Sequence, residues 1–592
     1  MTLLQRAALV GLLLAPATLA GHASPRADFG PPQRADDAGA LAPALPWNRR
    51  AVEHIYNRAG FGAREDAIRR ALRRGPEAVV DELLNGGRAT PPPQYSQGTL
   101  QDLKRGDELP RAQKRRVKAE LSQADHAQLA GYAGWWLERM VRHDDPLRDR
   151  MTLLWHGLFA TESRNIKRSY DMIEQHQLLR NNALESYADL LRGIVEDPAM
   201  LLYLDNNKNH KGSPNENLAR ELLELFSLGE GNYSELDVRE VARALTGNSR
   251  DRLGNYVFNA DEHDGGRKTI LGETGRYDAG GVIEILLRQV ACARHVAGRI
   301  ITYLEGTPPD ELRLVEYAAY LQRKQFQMKP FLRKLLLDPR FYREQVVGTR
   351  VASPVDYLVG STRRLAIDVG PEFLFVATGE LGQELFDPPS VKGWDEGEAW
   401  IDTGSLLARG NTVGLLLGTV DLEASFQVMA SVSPGADAAP SSGKRGPSRG
   451  EADAEETMDE DSIGEETMEE SMMGEVAMGE VAAREPKDRL PGEIANVVKS
   501  LGDGYVPRLD LSRVFQKHAI VGDDRIIGAM LENLLAIEPP ADTHARLVRR
   551  LLWEREAAQL SEEGFLSDPD LAESILRRIA HLILSLPEAQ LG

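Results

Sequence analysis

The sequence predicts a mainly α-helical protein: a multi-helix globular body with one small β-hairpin and a disordered acidic insertion. Three observations carry this. Apolar residues recur at helical spacing through most of the chain, in windows opened by proline or by a Ser, Asp or Asn cap. A strand-like pattern is confined to one stretch, residues 256–271. Over residues 433–489 the composition changes abruptly to Ser, Pro and Gly, then to Glu, Met and Asp.

At 592 residues the chain exceeds what one core accommodates, and length alone suggests roughly two to four compact units. The net charge of −19 is unevenly spread: residues 451–485 hold 14 Asp and Glu against one Arg, which leaves −6 for the rest. A mildly acidic body without a basic stripe argues against nucleic acid as a partner. Cys292 is the one cysteine, so neither an internal disulfide nor cysteine-based zinc or thiol chemistry is expected.

The N-terminus carries Arg6, an apolar run over residues 7–14 and small residues around Ala20 and Ala23. This is the pattern of a secretory leader, expected over residues 1–23, and it places the protein in the periplasm or outside the cell. Pro16 and His22 cut the run short of a membrane span, and no other stretch is long and apolar enough, so no span is expected after cleavage. Residues 24–46, rich in Pro, Ala, Gly and Asp, read as a flexible linker.

The helical core is expected over residues 47–430. NRRAVEHIYNRAGFG, REDAIRRALRRG and PEAVVDELL read as short helices, the last with Pro76 in its first turn. A Pro-rich loop precedes a long helix that ends in GYAGWWLERMVRHDD, where Trp135, Trp136 and Met140 share a core-facing stripe. Pro146 opens PLRDRMTLLWHGLFAT, striped by Met151, Leu154, Trp155 and Leu158. Further helix follows through YDMIEQHQLLRNNALESYADLLRGIVEDP. In the strand-like stretch, Tyr256–Phe258 is expected to pair with residues 268–271 across EHDGGR, with Gly265 and Gly266 in the turn. Helices return over residues 279–338 and after Pro354 and Pro371, and FDPPSVKGWDEGEAWIDTG reads as an irregular loop entering a helix near Ser405.

Residues 431–489 contain EETM twice and GEV twice, and too little apolar surface to offset the entropy of ordering. Such a segment either stays solvated or serves as an acidic sink for calcium or a basic partner. Residues 490–592 return to helix in AMLENLLAI, THARLVRRLLWE and DLAESILRRIAHLILSLP, whose stripes are expected to pack back on the core.

Chemistry concentrates over residues 203–246. Asp205, Asn207, Asn209, Ser213 and Glu216 occupy relative positions 1, 3, 5, 9 and 12 between two predicted helices, with the Lys211 carbonyl at position 7. Those are the oxygen positions of a helix-loop-helix calcium site. His210 and Pro214 depart from that pattern, and the alternative is a polar loop whose Asn side chains cap the next helix. Just beyond, Asn217, Arg220, Glu221 and Glu224 share one helix face opposite Leu218, Leu222 and Leu225. That face serves acid and base chemistry, or is simply solvated and braced by ion pairs. His156, and likewise His176, is either an acid, base or ligand, or a core histidine satisfied by a hydrogen bond. His263 and Asp264 beside Lys268 form either an acid and base pair or a turn in which Asp264 bonds its own backbone. Trp394 and Trp400 suit a sugar-stacking platform or an anchored loop. The chain has no nucleophile elbow, phosphate loop or H-E-x-x-H.

WHGLFATE at Trp155, NENLARELLELFSLGEGNYSELDVREVARALTG at Asn215, EHDGGRKTILGETG at Glu262, FDPPSVKGWDEGEAW at Phe386 and LLARGN at Leu406 together resemble the family catalogued as domain of unknown function 1800. The resemblance runs from about Trp47 to the C-terminal HLILSLPEAQLG, apart from the acidic insertion. It departs at Asn248, where the family carries Trp. The family is bacterial, common in planctomycetes, usually exported and often encoded beside secreted proteins of the sulfatase-like superfamily. The resemblance therefore implies a mostly helical exported protein with a sulfatase-like partner, and names no reaction. Two functions follow as expectations: a binding or scaffold protein acting with that partner on cell-surface or polysaccharide material, or a hydrolase of extracellular glycans using Glu221, Glu224, His156 or His263.

Overall fold

Proline and side-chain caps set the helix starts. Asn48 accepts the Ala51 N–H at 3.1 Å at the start of α1 (Arg49–Arg58). The computed structural model describes residues 44–87, 90–97, 111–251, 253–420 and 507–592, all within the compact unit Ala44–Gly592. The expected leader (1–23), most of the expected linker (24–46) and the acidic insertion (431–489) lie outside the described residues.

The described residues form 22 helices and two small antiparallel sheets. After α1 come α2 (Glu65–Arg74), α3 (Pro76–Asn85) and the long α4 (Arg111–Arg142). Then α5 (Pro146–Leu158), α6 (Ser163–Ile166), α7 (Ser169–Asn182), α8 (Tyr187–Val195) and α9 (Pro198–Tyr203) lead to α10 (Asn217–Leu223), which widens into a π-turn at Glu224–Leu228. In α11 (Glu235–Leu245), Ser234 and Asp237 make the reciprocal capping box. Past the strands follow α12 (Ala279–Arg288), α13 (Val290–Glu305), α14 (Glu311–Arg323) and α15 (Met328–Leu336). α16 (Pro354–Arg364), α17 (Pro371–Glu380) and α18 (Thr403–Leu417) precede α19 (Leu511–Lys517), α20 (Asp523–Leu534), α21 (Ala541–Ala557) and α22 (Pro569–Leu584). Among the described residues no helix is long and apolar enough to cross a membrane.

Two of the four strands, β2 and β3, fall where the sequence pattern places them, whereas β1 and β4 lie outside it and the pairing differs from the expected hairpin. β2 (Tyr256–Phe258) pairs with β1 (Asn248–Arg250), and β3 (Lys268–Ile270) with β4 (Glu273–Gly275). The tight turn forms at Leu271 (φ 48°) and Gly272 (φ 83°), both in the left-handed region that a two-residue hairpin requires. Gly265 and Gly266 lie instead in an Asp-stabilised turn, where the Gly266 N–H donates to Asp264 Oδ1 at 2.8 Å.

Two apolar cores fill the body. The first gathers α1–α3 and α8, α10–α15 around Leu147, Met151, Leu154, Trp155 and Leu158 of α5. The second gathers α4 and α16–α22 around Trp136, Phe386 and Leu153, the last from the other side of α5. Helix α5 thus stands in the wall between them, buried along almost its whole length. The C-terminal helices belong to the second core, where the Tyr357 hydroxyl donates to Leu584 O at 3.0 Å and the Ala352 N–H to Gln590 O at 2.8 Å.

Trp136 is fully buried, whereas Trp553 is 46% exposed. Trp136→Ala is expected to lower stability by about 3–5 kcal/mol in a denaturant titration, and Trp553→Ala by no more than about 0.5 kcal/mol. Equal losses would contradict the assignment of the second core.

Candidate functional site

His156 and Gly157 occupy the last turn of α5, and the irregular segment at residues 385–396 lies across them as a strap. His156 is 1% exposed. Its Nε2 accepts the Phe386 N–H at 3.0 Å, which requires the neutral imidazole carrying its proton on Nδ1. Burial alone pushes its pKa down to about 3. The ring is packed by Phe386 (centroids 4.9 Å), Trp394 (5.3 Å) and Trp136 (5.7 Å). His176 of α7 lies 6.2 Å away, shares a hydrogen bond of 2.9 Å between its Nδ1 and the Tyr132 hydroxyl, and has its pKa pushed well down by burial and then by His156. Both histidines are buried core groups with one ring nitrogen hydrogen-bonded each, while His156 Nδ1 and His176 Nε2 lie buried without a partner among the described residues.

The strap is held by backbone geometry few residues adopt. Phe386 has φ 69°, a left-handed conformation that is an outlier for so bulky a side chain. Its ring is fully buried among Tyr132, Trp136, His156 and His176, and its carbonyl accepts the Ser163 N–H at 2.9 Å. At Gly393 (φ 84°) any Cβ would fall 2.3 Å from the Gly157 carbonyl, so the strap reaches α5 only through glycine. Val391 packs on the first core while Leu385 and Phe386 belong to the second, so the strap spans both.

Around the strap runs a rim of carboxylates and tyrosines. Glu162 accepts the Tyr203 hydroxyl at 2.8 Å and the Asn165 amide at 2.9 Å. Asp387 binds Arg164 at 2.9 and 3.1 Å, anchoring the strap to α6. Glu224, opening the π-turn, accepts the Tyr233 hydroxyl at 2.8 Å. Burial, then Glu224, raises the pKa of half-buried Glu221, while Lys392 of the strap and Arg220 oppose the shift. Burial and the bond to Glu162 push Tyr203 up, and burial with the bond to Glu224 pushes Tyr233 up to about 12. WHGLFATE, the Asn215 motif and FDPPSVKGW, far apart in sequence, thus meet on one face.

The family model described as Protein of unknown function (DUF1800) matches residues 54–591. The chain belongs to the DUF1800 family. No curated protein and no solved structure matches it.

In this DUF1800 chain the remaining sequence candidates stand apart from His156. His263 donates from Nδ1 to Thr246 O at 2.8 Å, and Asp264 binds Arg243 at 2.7 Å, which with that bond first among the causes holds its pKa down at about 2. Lys268 is buried with its amine donating to Asp264 O and Gly266 O, so HDGG is a braced turn. The loop 205–216 packs against that turn through the Lys211 N–H to Glu262 O at 2.8 Å. Asp205 pairs with Lys208 at 3.0 Å, and Glu216 lies 3.5 Å from both Arg220 and Arg239. Asn209 spends its amide on Asn206 Oδ1 and Ala242 O and accepts the Asn215 N–H, while Asn215 accepts the Asn217 N–H at the start of α10. Asn207 Oδ1 is buried without a partner, and Ser213 is exposed. Among the described residues no group of three or more His, Cys, Asp or Glu is placed to hold a metal ion.

Sequence reasoning passed over Glu162, Tyr203, Asp387 and Lys392. For Glu162, Asp387 and Lys392 the signal was membership of the motif strings, and for Tyr203 its place at the start of the polar stretch 203–246.

A histidine held neutral in the fold but protonated in the unfolded chain makes acid destabilising. The unfolded chain binds the extra proton as pH falls below about 6.5, so stability drops by up to about 1.4 kcal/mol per pH unit until the folded pKa is reached. His156→Gln keeps an acceptor for Phe386 without the titration. Between pH 6.5 and 4 the stability gap between wild type and His156→Gln is expected to move in the variant's favour by that slope. A gap that does not change with pH would contradict the buried neutral ring.

Proposed function

We propose that the strap face is a binding surface for neutral, hydroxyl-rich polysaccharide, and that the protein is an exported binding or scaffold protein working beside a sulfatase-like partner. The observation that carries this reading is the rim itself: Tyr203 on Glu162 and Tyr233 on Glu224 flank half-buried Glu221. Carboxylates fixed by neighbouring tyrosines are acceptors arranged in advance for sugar hydroxyls, so little ordering entropy is lost on binding. Trp394, half-buried on the strap, adds an aromatic surface of the kind sugars stack on. The same carboxylates repel sulfate esters, which favours a desulfated or neutral chain over a sulfated one. Export rests on the leader pattern, and the partner class on the family resemblance.

One observation favours the hydrolase reading. Burial and then Glu224, three residues along the chain, shift Glu221 toward its protonated form, and a carboxylic acid of this kind serves as the general acid in glycoside cleavage.

The test is calorimetric titration of the full chain with neutral polysaccharides and their sulfated forms, with product analysis on the same samples. Binding of the neutral form is expected, weaker for the sulfated one. Glu221→Gln or Tyr203→Phe is expected to reduce affinity roughly tenfold, about 1.4 kcal/mol for one hydrogen bond to a charged acceptor. Turnover lost in Glu221→Gln would establish the hydrolase instead. Neither binding nor turnover would overturn both readings.

A further inference from the structure

The motif FSLGEGNYSEL, beginning at Phe226, gives the rim only Tyr233. Its Leu228, Gly229 and Asn232 line a separate open pocket of about 370 Å³, bounded across from them by Ala291, Arg294 and His295 of α13 and by Leu314 of α14. That volume lies in the range of small-molecule sites, about 300–1,000 Å³. His295 donates from Nε2 to Leu225 O of the π-turn at 2.8 Å. A carbonyl only accepts, so in the neutral ring the proton is on Nε2 and Nδ1 keeps its lone pair. Burial lowers the pKa of His295, against the opposing bond to Leu225, which keeps the ring neutral at physiological pH. At Gly229 (φ 80°) a Cβ would fall 3.0 Å from Nδ1, so the glycine keeps the space beside that nitrogen clear.

Asn232 spends its amide nitrogen on Leu228 O at 3.1 Å and Glu230 O at 3.2 Å, which leaves its side-chain oxygen as a second acceptor. Leu228, Ala291 and Leu314 supply an apolar wall. Arg294, the one charged residue of the lining, is matched by Glu311 in two bonds of 2.8 Å. The pocket therefore asks for a neutral ligand that brings hydrogen-bond donors together with C–H surface. A purely apolar group would bury both acceptors unpaired, and an anion would face their lone pairs. A sugar ring carries hydroxyl donors around an apolar face and meets both demands. The pocket also adjoins the strap face: the π-turn runs from Glu224 of the rim to Leu228, and Arg299, one turn beyond His295 on α13, pairs with Glu396 of the strap at 3.2 Å.

We infer that this pocket is a further subsite for one neutral sugar unit, whose hydroxyls donate to His295 Nδ1 and Asn232 Oδ1 while its C–H face lies on Leu228, Ala291 and Leu314. The inference rests on the reading of the strap face as a polysaccharide surface, since the same chain would run from the rim past the π-turn into the pocket.

The test is calorimetric titration of the full chain with neutral glucan, galactan and mannan oligosaccharides graded by length, on wild type, Ala291→Phe and Tyr203→Phe. Phenylalanine at 291 fills the pocket from a half-buried position that contributes nothing to the rim. Affinity is expected to rise with length, and Ala291→Phe to remove the last step of that rise, about tenfold, while short oligosaccharides bind as they do to wild type. Tyr203→Phe is expected to weaken every length. Crystals of wild type soaked in the longest oligosaccharide that binds are expected to show a sugar ring within hydrogen-bonding distance of His295 Nδ1, a readout that holds even if the variant does not fold. Equal binding of every length by wild type and Ala291→Phe, or an empty pocket in the soaked crystals, would overturn the subsite and leave the rim reading standing. Binding at no length would overturn the rim reading and the subsite with it.

Discussion

The bond from the Phe386 N–H to the buried Nε2 of His156 is the constraint on which the strap face depends. It requires a neutral imidazole, and the low pKa that burial imposes keeps the ring neutral across the physiological range. It also requires Phe386 to hold a left-handed backbone, a strain on the order of 1–3 kcal/mol. Burial of the phenyl ring among Tyr132, Trp136 and the two histidines offsets that strain with a contribution of similar size, about 1.5–3 kcal/mol. With Phe386 fixed, Asp387 meets Arg164, Gly393 meets Gly157, and Lys392 comes within range of Glu221.

Helix α5 explains why that contact is so well supported. It is apolar on both sides because it divides two cores, and the strap rests on its last turn where the cores converge. The rim residues come from α6, α9, α10 and the strap, elements that meet only because α5 is surrounded. A motif such as WHGLFATE therefore mixes two kinds of residue. Trp155 and Phe159 are packing groups, His156 and Gly157 are the seat of the strap, and the partly buried Glu162 belongs to the rim.

Much of the fold was legible because helix starts and stripes are local. Pro76, Pro146, Pro354 and Pro371 each open a helix, and Ser234 with Asp237 caps one as the spacing implied. The hairpin pairing was not legible, because the decisive residue, Leu271 at positive φ, carries no turn signature of its own. The π-turn at Glu224 was equally hidden in an unbroken helical pattern. Of the site, Glu221, Glu224 and His156 were singled out and do lie around one strap, whereas His263 belongs to a separate braced turn. The links between them, Tyr203 to Glu162 and Phe386 to His156, span 41 and 230 residues, distances over which periodicity and local spacing carry no information.

Hydrogen exchange resolved to single amides, on wild type and His156→Leu, tests the strap most directly. The account predicts a Phe386 amide protected in wild type nearly as strongly as the helices of the second core. In the variant, protection should be lost at residues 385–396 while α19–α22 stay protected. A Phe386 amide that exchanges in wild type at the rate of an exposed loop would contradict it.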